Sequence, residues 1–403
     1  MRIAFVHPRF PSAEGTGATH SATQIVSGLA DAGHEVTVYC PRYSTKDATK
    51  DGIKLRHLSG NSDFPHTDTR LNREIIACKD ELAEFDIVHS YLPRLFPSIG
   101  RVGKESDVGT VVTMNAYGGT CAKNDLLYLN REQCRSKSMS KCLNCITRAG
   151  FDGSDRGYVY QTASRLLSLR IIKDGEKMIE HIDGFHALSP HVRDAYVDFG
   201  YKRGKIDVIP NILDPQFDIK HISNFKEPIN LLYVGALKKS KGIDRLIDVF
   251  SAVQERTDTD VLLTIVGDGP FETDLRREIE KKDLSELIEM RGHMSYVRLP
   301  SVYANHDLFL YPGRWDEPFG RVFLEAMATG TPIVTTDVGS ASDIIGGAGK
   351  VTQKDNDSLT DGVLSALDHQ ILQEYSEVGK RRIDHYRIPE IVPRFEQLYT
   401  GIF

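Results

Sequence analysis

Two glutamates that lie eight residues apart, Glu317 and Glu325, form the most chemically suggestive pattern in this sequence of 403 residues. Pro318 and Gly320 lie between them and are poorly suited to a helix interior. The sequence therefore predicts that Glu317 precedes a helix and that Glu325 lies within it. Backbone N–H groups that are free at such a helix start suit an anionic or hydroxyl-rich ligand. In the alternative interpretation, the two acids only complement the positive end of the helix dipole.

Four of the six cysteines fall close together in the pattern C-x12-C-x7-C-x2-C: Cys121, Cys134, Cys142 and Cys145. Four thiols that end in a C-x-x-C pair have the spacing of a zinc site. We expect a structural zinc ion that fixes a long loop, because a reducing compartment favours metal binding over disulfides. Disulfides, free thiols and an iron–sulfur cluster remain alternatives, and the spacing gives no reason to expect catalysis there.

The elements that must position these residues begin with the β–α–β unit of a parallel sheet. The predicted elements of this first half are a strand at 2–8, a glycine-containing loop at 11–18, a helix at 20–34, and strands at 35–40, 86–90 and 109–115. The apolar residues of the helix recur at helical spacing, so one face of it should pack on the sheet.

The second half of the chain repeats the same alternation of strands and helices. Its predicted elements are strands at 230–236, 261–267, 287–292, 308–313 and 331–337, with a helix within 238–256 after the first of them. The sequence therefore predicts an α/β protein with two successive parallel-sheet domains. The polar, proline-containing stretch 209–228 should form the boundary between them.

In the order and spacing of its loops, the sequence resembles the retaining glycosyltransferases of family 4. The segment 317–325 resembles their E-x7-E motif, and the resemblance spans essentially the whole chain. The other stretches that carry it are the loop 15–17, AGHEV (32–36), the segment 186–214, VGALKKSKG (234–242), VGDGP (266–270) and RGHM (291–294). The resemblance implies the GT-B fold, an α/β fold in which two Rossmann-like domains with parallel sheets face each other.

The resemblance also implies a role for each domain. Residues 1–212 would form an N-terminal domain that binds the acceptor, and residues 213–385 a C-terminal domain that binds the nucleotide sugar. Residues 386–403 would form a C-terminal helix that returns to the N-terminal domain. The amphipathic pattern of this last segment is compatible with such packing.

By resemblance, three residues take catalytic positions: Glu317 beside the donor sugar, Lys241 at the diphosphate and Asn115 near the acceptor. Lysines at this turn would stabilise the negative charge that a diphosphate gains as the glycosidic bond breaks. Glu325 would hold the nucleotide ribose. The complete set that the resemblance assigns to donor binding is Gly15, Gly17, Lys238, Lys239, Gly267, Met294, Phe319, Gly320, Arg321 and Glu325.

The sequence departs from the family pattern at two positions. Ala236 stands where the family usually has arginine, and Asn115 stands where it usually has histidine. Asparagine cannot act as a base at neutral pH. The family mechanism needs no enzyme base, however, because the departing phosphate takes the acceptor proton. His89 is an alternative polar group near Asn115.

These features predict a retaining hexosyltransferase that moves a sugar from a nucleotide-diphosphate sugar to a glycan or lipid-linked acceptor, in polysaccharide or glycoconjugate biosynthesis. No cofactor is expected for the transfer itself. A GT-B sugar-nucleotide epimerase is one alternative, since it has the same fold. A catalytically weak sugar-nucleotide-binding protein is another, because of Ala236 and Asn115.

The composition and hydropathy of the chain limit its partners. A net charge of −6 argues against extensive nucleic-acid binding, which usually requires a basic excess. No run of about 18 apolar residues occurs, and the N-terminus reads as a strand, so we expect a cytoplasmic protein. The segment 160–182 combines leucine and isoleucine with arginine and lysine, and such a helix can contact the inner face of a membrane. Packing on the first domain is the alternative.

Overall fold

The computed structural model describes residues 1–10, 17–41, 52–58, 66–148, 157–219 and 225–403. These residues divide into two compact units. The first unit consists of residues 1–212 together with 388–403, and the second of residues 213–387. The main sheet of each unit is parallel and largely buried, which explains why continuous apolar runs mark most of its strands.

The first unit is built on a parallel sheet of seven strands: β1 (Arg2–Val6), β2 (Glu35–Cys40), β3 (Ile53–His57), β4 (Ile87–Ser90), β5 (Gly109–Met114), β8 (Gly184–Ala187) and β9 (Ile206–Val208). Their order across the sheet is β3-β2-β1-β4-β5-β8-β9. A separate antiparallel hairpin consists of β6 (Leu127–Tyr128) and β7 (Glu132–Gln133). The α-helices of this unit are α1 (Gly17–Asp31), α2 (Thr67–Ala77), α3 (Lys79–Leu82), α4 (Phe96–Glu105), α5 (Met139–Arg148), α6 (Tyr158–Glu176), α7 (Pro190–Asp198) and α15 (Ile388–Thr400).

The second unit is built on a parallel sheet of six strands: β10 (Ile229–Val234), β11 (Val261–Val266), β12 (Ile288–Gly292), β13 (Leu308–Tyr311), β14 (Ile333–Thr336) and β15 (Gly349–Thr352). Their order is β12-β11-β10-β13-β14-β15. The α-helices of this unit are α8 (Ile243–Arg256), α9 (Glu272–Lys281), α10 (Leu299–Ala304), α11 (Arg321–Ala328), α12 (Ala341–Ile345), α13 (Asn356–Ala366) and α14 (His369–Arg382).

Every strand that the sequence predicts is present in the structure, and most of the bounds differ only slightly. The first helix begins at Gly17, earlier than predicted. The sequence did not predict β15, because its residues Gly-Lys-Val-Thr contain no apolar run. It also gave no strand for β3, β8 or β9, and it missed the hairpin β6–β7, whose strands are only two residues long.

The C-terminal helix α15 packs within the first unit. Its side chains Ile391, Phe395 and Tyr399 are fully buried in the same apolar core as Ile25 of α1. The structure corrects the predicted start of this segment, because Tyr386 and Arg387 still belong to the second unit. The Tyr386 carbonyl accepts a hydrogen bond from the Leu213 amide, and Arg387 pairs with Asp218, so both are tied to the start of that unit.

A chain of hydrogen bonds runs through the interior of the first unit and ends on α15. The Ile209 carbonyl can only accept, so His186 donates to it through Nε2 (2.7 Å), and Nδ1 of His186 must accept from the Thr113 hydroxyl (3.0 Å). Thr113 then accepts from Nε2 of His89 (2.7 Å), whose Nδ1 accepts from the Tyr399 hydroxyl (2.6 Å). The Ile209 carbonyl therefore determines the tautomers of both His186 and His89. Burial lowers the pKa of His186 to about 4 and that of His89 well below its ordinary value.

Candidate active site

The candidate site of the second unit lies where its strand order changes direction. Strand β10 has β11 on one side and β13 on the other, and ligands of open parallel sheets bind at the carboxyl ends of strands at such a point. Loop 235–242 follows β10, and loop 312–320 follows β13. The two loops are in contact, since the amides of Arg314 and Trp315 donate to the Ser240 carbonyl at 3.1 and 3.0 Å.

Two residues at the start of α8 hold these loops together. Gly242 has φ +73°, and a Cβ atom there would lie 1.6 Å from the Pro312 carbonyl oxygen, so only glycine fits. Arg245 is 2% exposed, and its guanidinium donates to the carbonyls of Pro312 and Gly313 and, at 2.7 Å, to that of Lys354. Contacts within the protein therefore fix the loop after β13 without the help of a ligand.

Two of the predicted catalytic residues, Lys241 and Glu317, form an ion pair at this point. The Glu317 carboxylate also accepts a hydrogen bond from the hydroxyl of Tyr311, the last residue of β13. The Lys241 ammonium lies 5.9 Å from the centre of the Tyr311 ring and 5.0 Å from that of Trp315. Glu317 is 7% exposed. Lys241, Glu317 and Tyr311 thus form a charged and aromatic cluster that needs no ligand to assemble it.

The backbone beside Glu317 is held from the loop after β14. The Ser340 hydroxyl donates to the Glu317 carbonyl at 3.2 Å and to the Phe319 carbonyl at 3.0 Å. Phe319 is buried at 3% exposure, which anchors the segment. Helix α11 begins directly afterwards at Arg321, with Gly320 as its N-cap. The prediction that Glu317 precedes a helix and that Glu325 lies within it is confirmed.

Glu325 forms a second cluster with Arg321 and two tyrosines. Its carboxylate accepts from the hydroxyls of Tyr303 (3.1 Å) and Tyr296 (3.5 Å), and Arg321 Nε lies 3.9 Å from it. Arg321 also donates to the Tyr296 hydroxyl at 2.6 Å. Burial raises the pKa of the Glu325 carboxyl, and the Arg321 guanidinium limits this rise. The carboxylate is therefore held in one orientation by two hydrogen bonds and an ion pair.

The other predicted donor-binding residues of the second unit occupy loops on the same edge of the sheet. Lys238 and Lys239 are exposed in the turn after β10, with the Lys239 ammonium 5.3 Å from the centre of the Phe271 ring. Gly267 follows β11 with φ +134°, and a Cβ there would lie 2.0 Å from the Gly235 carbonyl oxygen. Met294 follows β12 and is half-buried. The carboxyl ends of three neighbouring strands, β12, β11 and β10, thus carry all of these residues.

The predicted residues of the first unit are placed separately. Asn115 follows β5, and its side-chain amide donates to the Tyr91 carbonyl at 3.1 Å, which fixes the side chain. Gly17 begins α1, whereas Gly15 lies outside the described residues. His89 belongs to the buried hydrogen-bond chain and is 0% exposed, so it is not the polar group beside Asn115 that the sequence suggested.

The sequence did not identify several residues that shape the site. Tyr311 reads as the last apolar residue of a strand, although its position at a carboxyl end is a usable signal. Tyr296 and Tyr303 lie between two predicted strands, in a segment without a recognisable pattern. Arg245 reads as an ordinary polar helix residue, because the carbonyls that it binds are distant in sequence.

The four clustered cysteines are free thiols in the first unit. All four line one cavity of about 40 Å³. In their present orientations, the described residues contain no group of three or more His, Cys, Asp or Glu side chains that could hold a metal ion.

Helix α6, which covers most of the segment predicted to meet a membrane, exposes a stripe of side chains. Val159, Ala163 and Leu166 form its apolar part, and Arg170, Lys173 and Lys177 are the exposed residues that continue it. Its other face is buried against the first unit, for example at Leu169 and Ile172. Among the helices that the structure describes, none has the length and apolar character that a membrane crossing requires.

Comparisons with known proteins agree with this architecture. Residues 15–217, half of the chain, match the family model described as Glycosyltransferase Family 4. Residues 215–382 match the model described as Glycosyl transferases group 1. The two matches meet close to the boundary between the two units.

Individual relatives are similar over shorter segments. The lipopolysaccharide core biosynthesis mannosyltransferase LpsB of Rhizobium meliloti is 36% identical over 122 residues, which are 29% of this chain and 34% of LpsB. The gpi3 subunit of the phosphatidylinositol N-acetylglucosaminyltransferase of Schizosaccharomyces pombe is 28% identical over 204 residues, 49% of this chain and 44% of that protein. The chain thus matches less than half the length of each relative.

Solved structures extend the similarity to the whole fold. The crystal structure of Anabaena HepE in complex with UDP aligns over 100% of both chains, with a TM-score of 0.71 and 16% identity. The predicted GT-B fold class is therefore confirmed.

Proposed function

Because the chain belongs to glycosyltransferase family 4, we propose that it is a retaining enzyme whose second unit binds a nucleotide-diphosphate sugar. The acceptor is a glycan or a lipid-linked acceptor, bound by the first unit. The observation that carries this proposal is the arrangement of Lys241, Glu317 and Tyr311 at the switch point of the second sheet, beside the buried cluster of Glu325.

The charges of the site suit such a donor. A carboxylate accepts hydrogen bonds at about four positions. Vicinal hydroxyls of a ribose can therefore donate to the Glu325 carboxylate at the positions that Tyr296 and Tyr303 now occupy. Hydroxyls of the donor sugar can likewise replace Tyr311 on Glu317. Lys241 then loses part of its pairing and becomes available to the diphosphate, together with the exposed Lys238 and Lys239.

The proposed reaction exchanges one glycosidic bond for another on the same face of the sugar. The bond between C1 and the diphosphate oxygen breaks, and the acceptor oxygen bonds to C1. The acceptor proton passes to the departing phosphate oxygen, so no side chain has to act as a base. The lysines stabilise the charge that develops on the diphosphate, which lowers the energy of the transition state more than that of the bound donor. Asn115 is proposed to orient a hydroxyl group, and the transfer is proposed to need no metal ion.

Turnover of labelled nucleotide sugars tests this proposal. The full chain is incubated with glycan extracts and lipid-linked extracts in EDTA, and the anomeric configuration of the product is read by NMR. We expect transfer with retention, and a loss of at least about 100-fold in kcat/KM for Glu317→Gln, as for other residues that act on developing charge.

The matched control is Glu286→Gln, which changes an exposed glutamate of the same unit and should leave kcat/KM unchanged. An inverted product would contradict the proposed stereochemistry. Interconversion of nucleotide sugars without any acceptor would instead identify an epimerase, and tight donor binding without turnover would identify a binding protein.

We also propose that the exposed stripe of α6 contacts an anionic membrane surface. The apolar part could enter the headgroup region while the basic part meets lipid phosphates, each cation contributing about 1 kcal/mol. Asp174 offsets part of this charge, since it lies 3.2 Å from Lys177 and 4.0 Å from Arg170.

Sedimentation with vesicles tests the membrane proposal. Binding to vesicles with phosphatidylglycerol, but not to pure phosphatidylcholine, is expected, and it should fall when Arg170, Lys173 and Lys177 are all changed to glutamine. Arg298→Gln, at an exposed position of the second unit, is the control. Equal binding of the triple variant and the native chain would contradict the proposal.

A further inference from the structure

The four clustered cysteines come from separate segments that the fold brings to one cavity. Cys121 precedes the hairpin β6–β7, Cys134 follows it, and Cys142 and Cys145 lie one turn apart on α5. All four line the cavity of about 40 Å³, which exceeds the roughly 10–15 Å³ that one water molecule requires. We propose that this loop is a structural zinc site with four thiolate ligands, built independently of the donor site.

The charge around the cavity fits an anionic metal centre. Four thiolates around a divalent zinc ion carry a net charge of −2, and three lysines line the same cavity: Lys123, Lys137 and Lys141. Lys141 lies 5.0 Å from the centre of the Tyr128 ring, and Lys123 lies 3.4 Å from Asp125. These cations would offset part of the negative charge of such a centre, although Lys123 and Lys137 already pair with Asp125 and with Glu176 (2.5 Å).

The backbone also points amides at the sulfur atoms. The Leu129 amide donates to Cys145 Sγ at 3.3 Å. The backbone amides of Lys123, Asp125 and Leu126 lie next to the Cys121 sulfur atom. Hydrogen bonds of this kind orient and stabilise the residues that coordinate a metal ion.

The loop needs a constraint that its small core does not supply. Asn124, Leu126, Leu129 and Asn130 all have positive φ, between 53° and 65°, and such residues each cost about 1–3 kcal/mol unless the surroundings fix them. The apolar cluster beside the loop contains only four buried residues, Ala122, Ile146, Leu169 and Ile172. Metal ligation would supply the missing constraint, because the binding free energy becomes folding free energy.

Binding requires the thiols to change partners. At present Cys134 donates to the Ser136 carbonyl (3.2 Å), Cys145 to the Leu127 carbonyl (3.7 Å) and Cys121 to the Asp125 carboxylate (3.9 Å). On zinc binding, each sulfur would lose its proton to solvent and turn toward the cavity. One zinc ion and four thiols therefore give one tetrathiolate centre and four protons.

Metal analysis of the purified full chain tests this site. We expect about one zinc ion per chain and, after exchange with Co²⁺, the intense sulfur-to-cobalt absorption of a tetrahedral thiolate site. Both signals should be lost in Cys142→Ser and retained in Cys78→Ser, which changes a partly exposed cysteine outside the loop.

A second measurement on the native chain covers a variant that fails to fold. Removal of zinc by a chelator should speed hydrogen exchange of residues 121–148 and leave residues 229–266 of the second unit unchanged. The proposal is overturned if the reduced native chain binds neither zinc nor Co²⁺, or if Cys142→Ser retains a full zinc ion. A disulfide found within the loop of protein isolated without reductant would also overturn it. None of these results bears on transferase activity.

Discussion

Removal of the Tyr399 hydroxyl tests how α15 is held in the first unit. In Tyr399→Phe, Nδ1 of the fully buried His89 loses the hydroxyl that donates to it. A buried acceptor without a partner costs about 1–3 kcal/mol. His89 cannot escape this cost by changing tautomer, because the Ile209 carbonyl sets the direction of the whole chain through His186 and Thr113.

A second variant doubles the expected effect. Thr113→Val leaves two groups unpaired, Nε2–H of His89 and Nδ1 of His186, so it should cost about 2–6 kcal/mol. Thr37→Val on β2, at a half-buried position, is the control and should change the free energy of unfolding by less than about 0.5 kcal/mol.

Native-state hydrogen exchange of α15 and β4 measures these free energies within the first unit. Tyr399→Phe should lower the opening free energy of both elements, and Thr113→Val should lower it further. A change below about 0.5 kcal/mol in Tyr399→Phe, or an equal effect of both variants, would refute a directional chain that ends on α15.

Three further predictions concern stability. Gly242→Ala should destabilise the chain by more than about 4 kcal/mol in urea unfolding, because its Cβ would meet a carbonyl oxygen, whereas Gly204→Ala, with no atom within 4 Å, should cost little. Arg245→Met removes the donor to three backbone carbonyls, each costing about 1–3 kcal/mol when unpaired. It should therefore lower the stability reported by fluorescence of Trp315, the single tryptophan, by about 3 kcal/mol or more, and Arg298→Met should not. Burial lowers the folded pKa values of His7 and His186 to about 3 and about 4, whereas the unfolded histidines bind protons near pH 6.5. Lowering the pH from 6.5 to 5 should therefore lower the free energy of unfolding by about 1.6 kcal/mol for each of the two residues. Unfolding free energies that stay constant over this pH range would contradict the last prediction.

The sequence was sufficient to place Lys241 and Glu317 in loops at one edge of a sheet, because the carboxyl ends of parallel strands share an edge. Lys241 and Glu317 each follow a strand that apolar runs make recognisable, and the strand order then brings the two loops together. Their direct pairing could not be predicted, since it depends on which strands are neighbours.

Residues that support the site were harder to predict. Arg245 stabilises the loop after β13 through the Pro312 and Gly313 carbonyls, which lie 67 and 68 positions away in the chain. Ser340 holds the Glu317 and Phe319 carbonyls from a loop after another strand. Backbone carbonyls carry no sequence signature, so partners of this kind become visible only in the folded chain.

Binding of nucleoside diphosphates to the second unit tests the central claim most directly. A thermal-shift panel of nucleoside diphosphates and their sugars identifies the preferred ligand, and calorimetry then compares the native chain with Glu325→Gln and the control Glu286→Gln. We predict that at least one nucleoside diphosphate raises the melting temperature and that Glu325→Gln, but not Glu286→Gln, weakens its binding by about 10-fold or more. Equal affinities of all three proteins, or no stabilisation by any member of the panel, would contradict the assignment of this site.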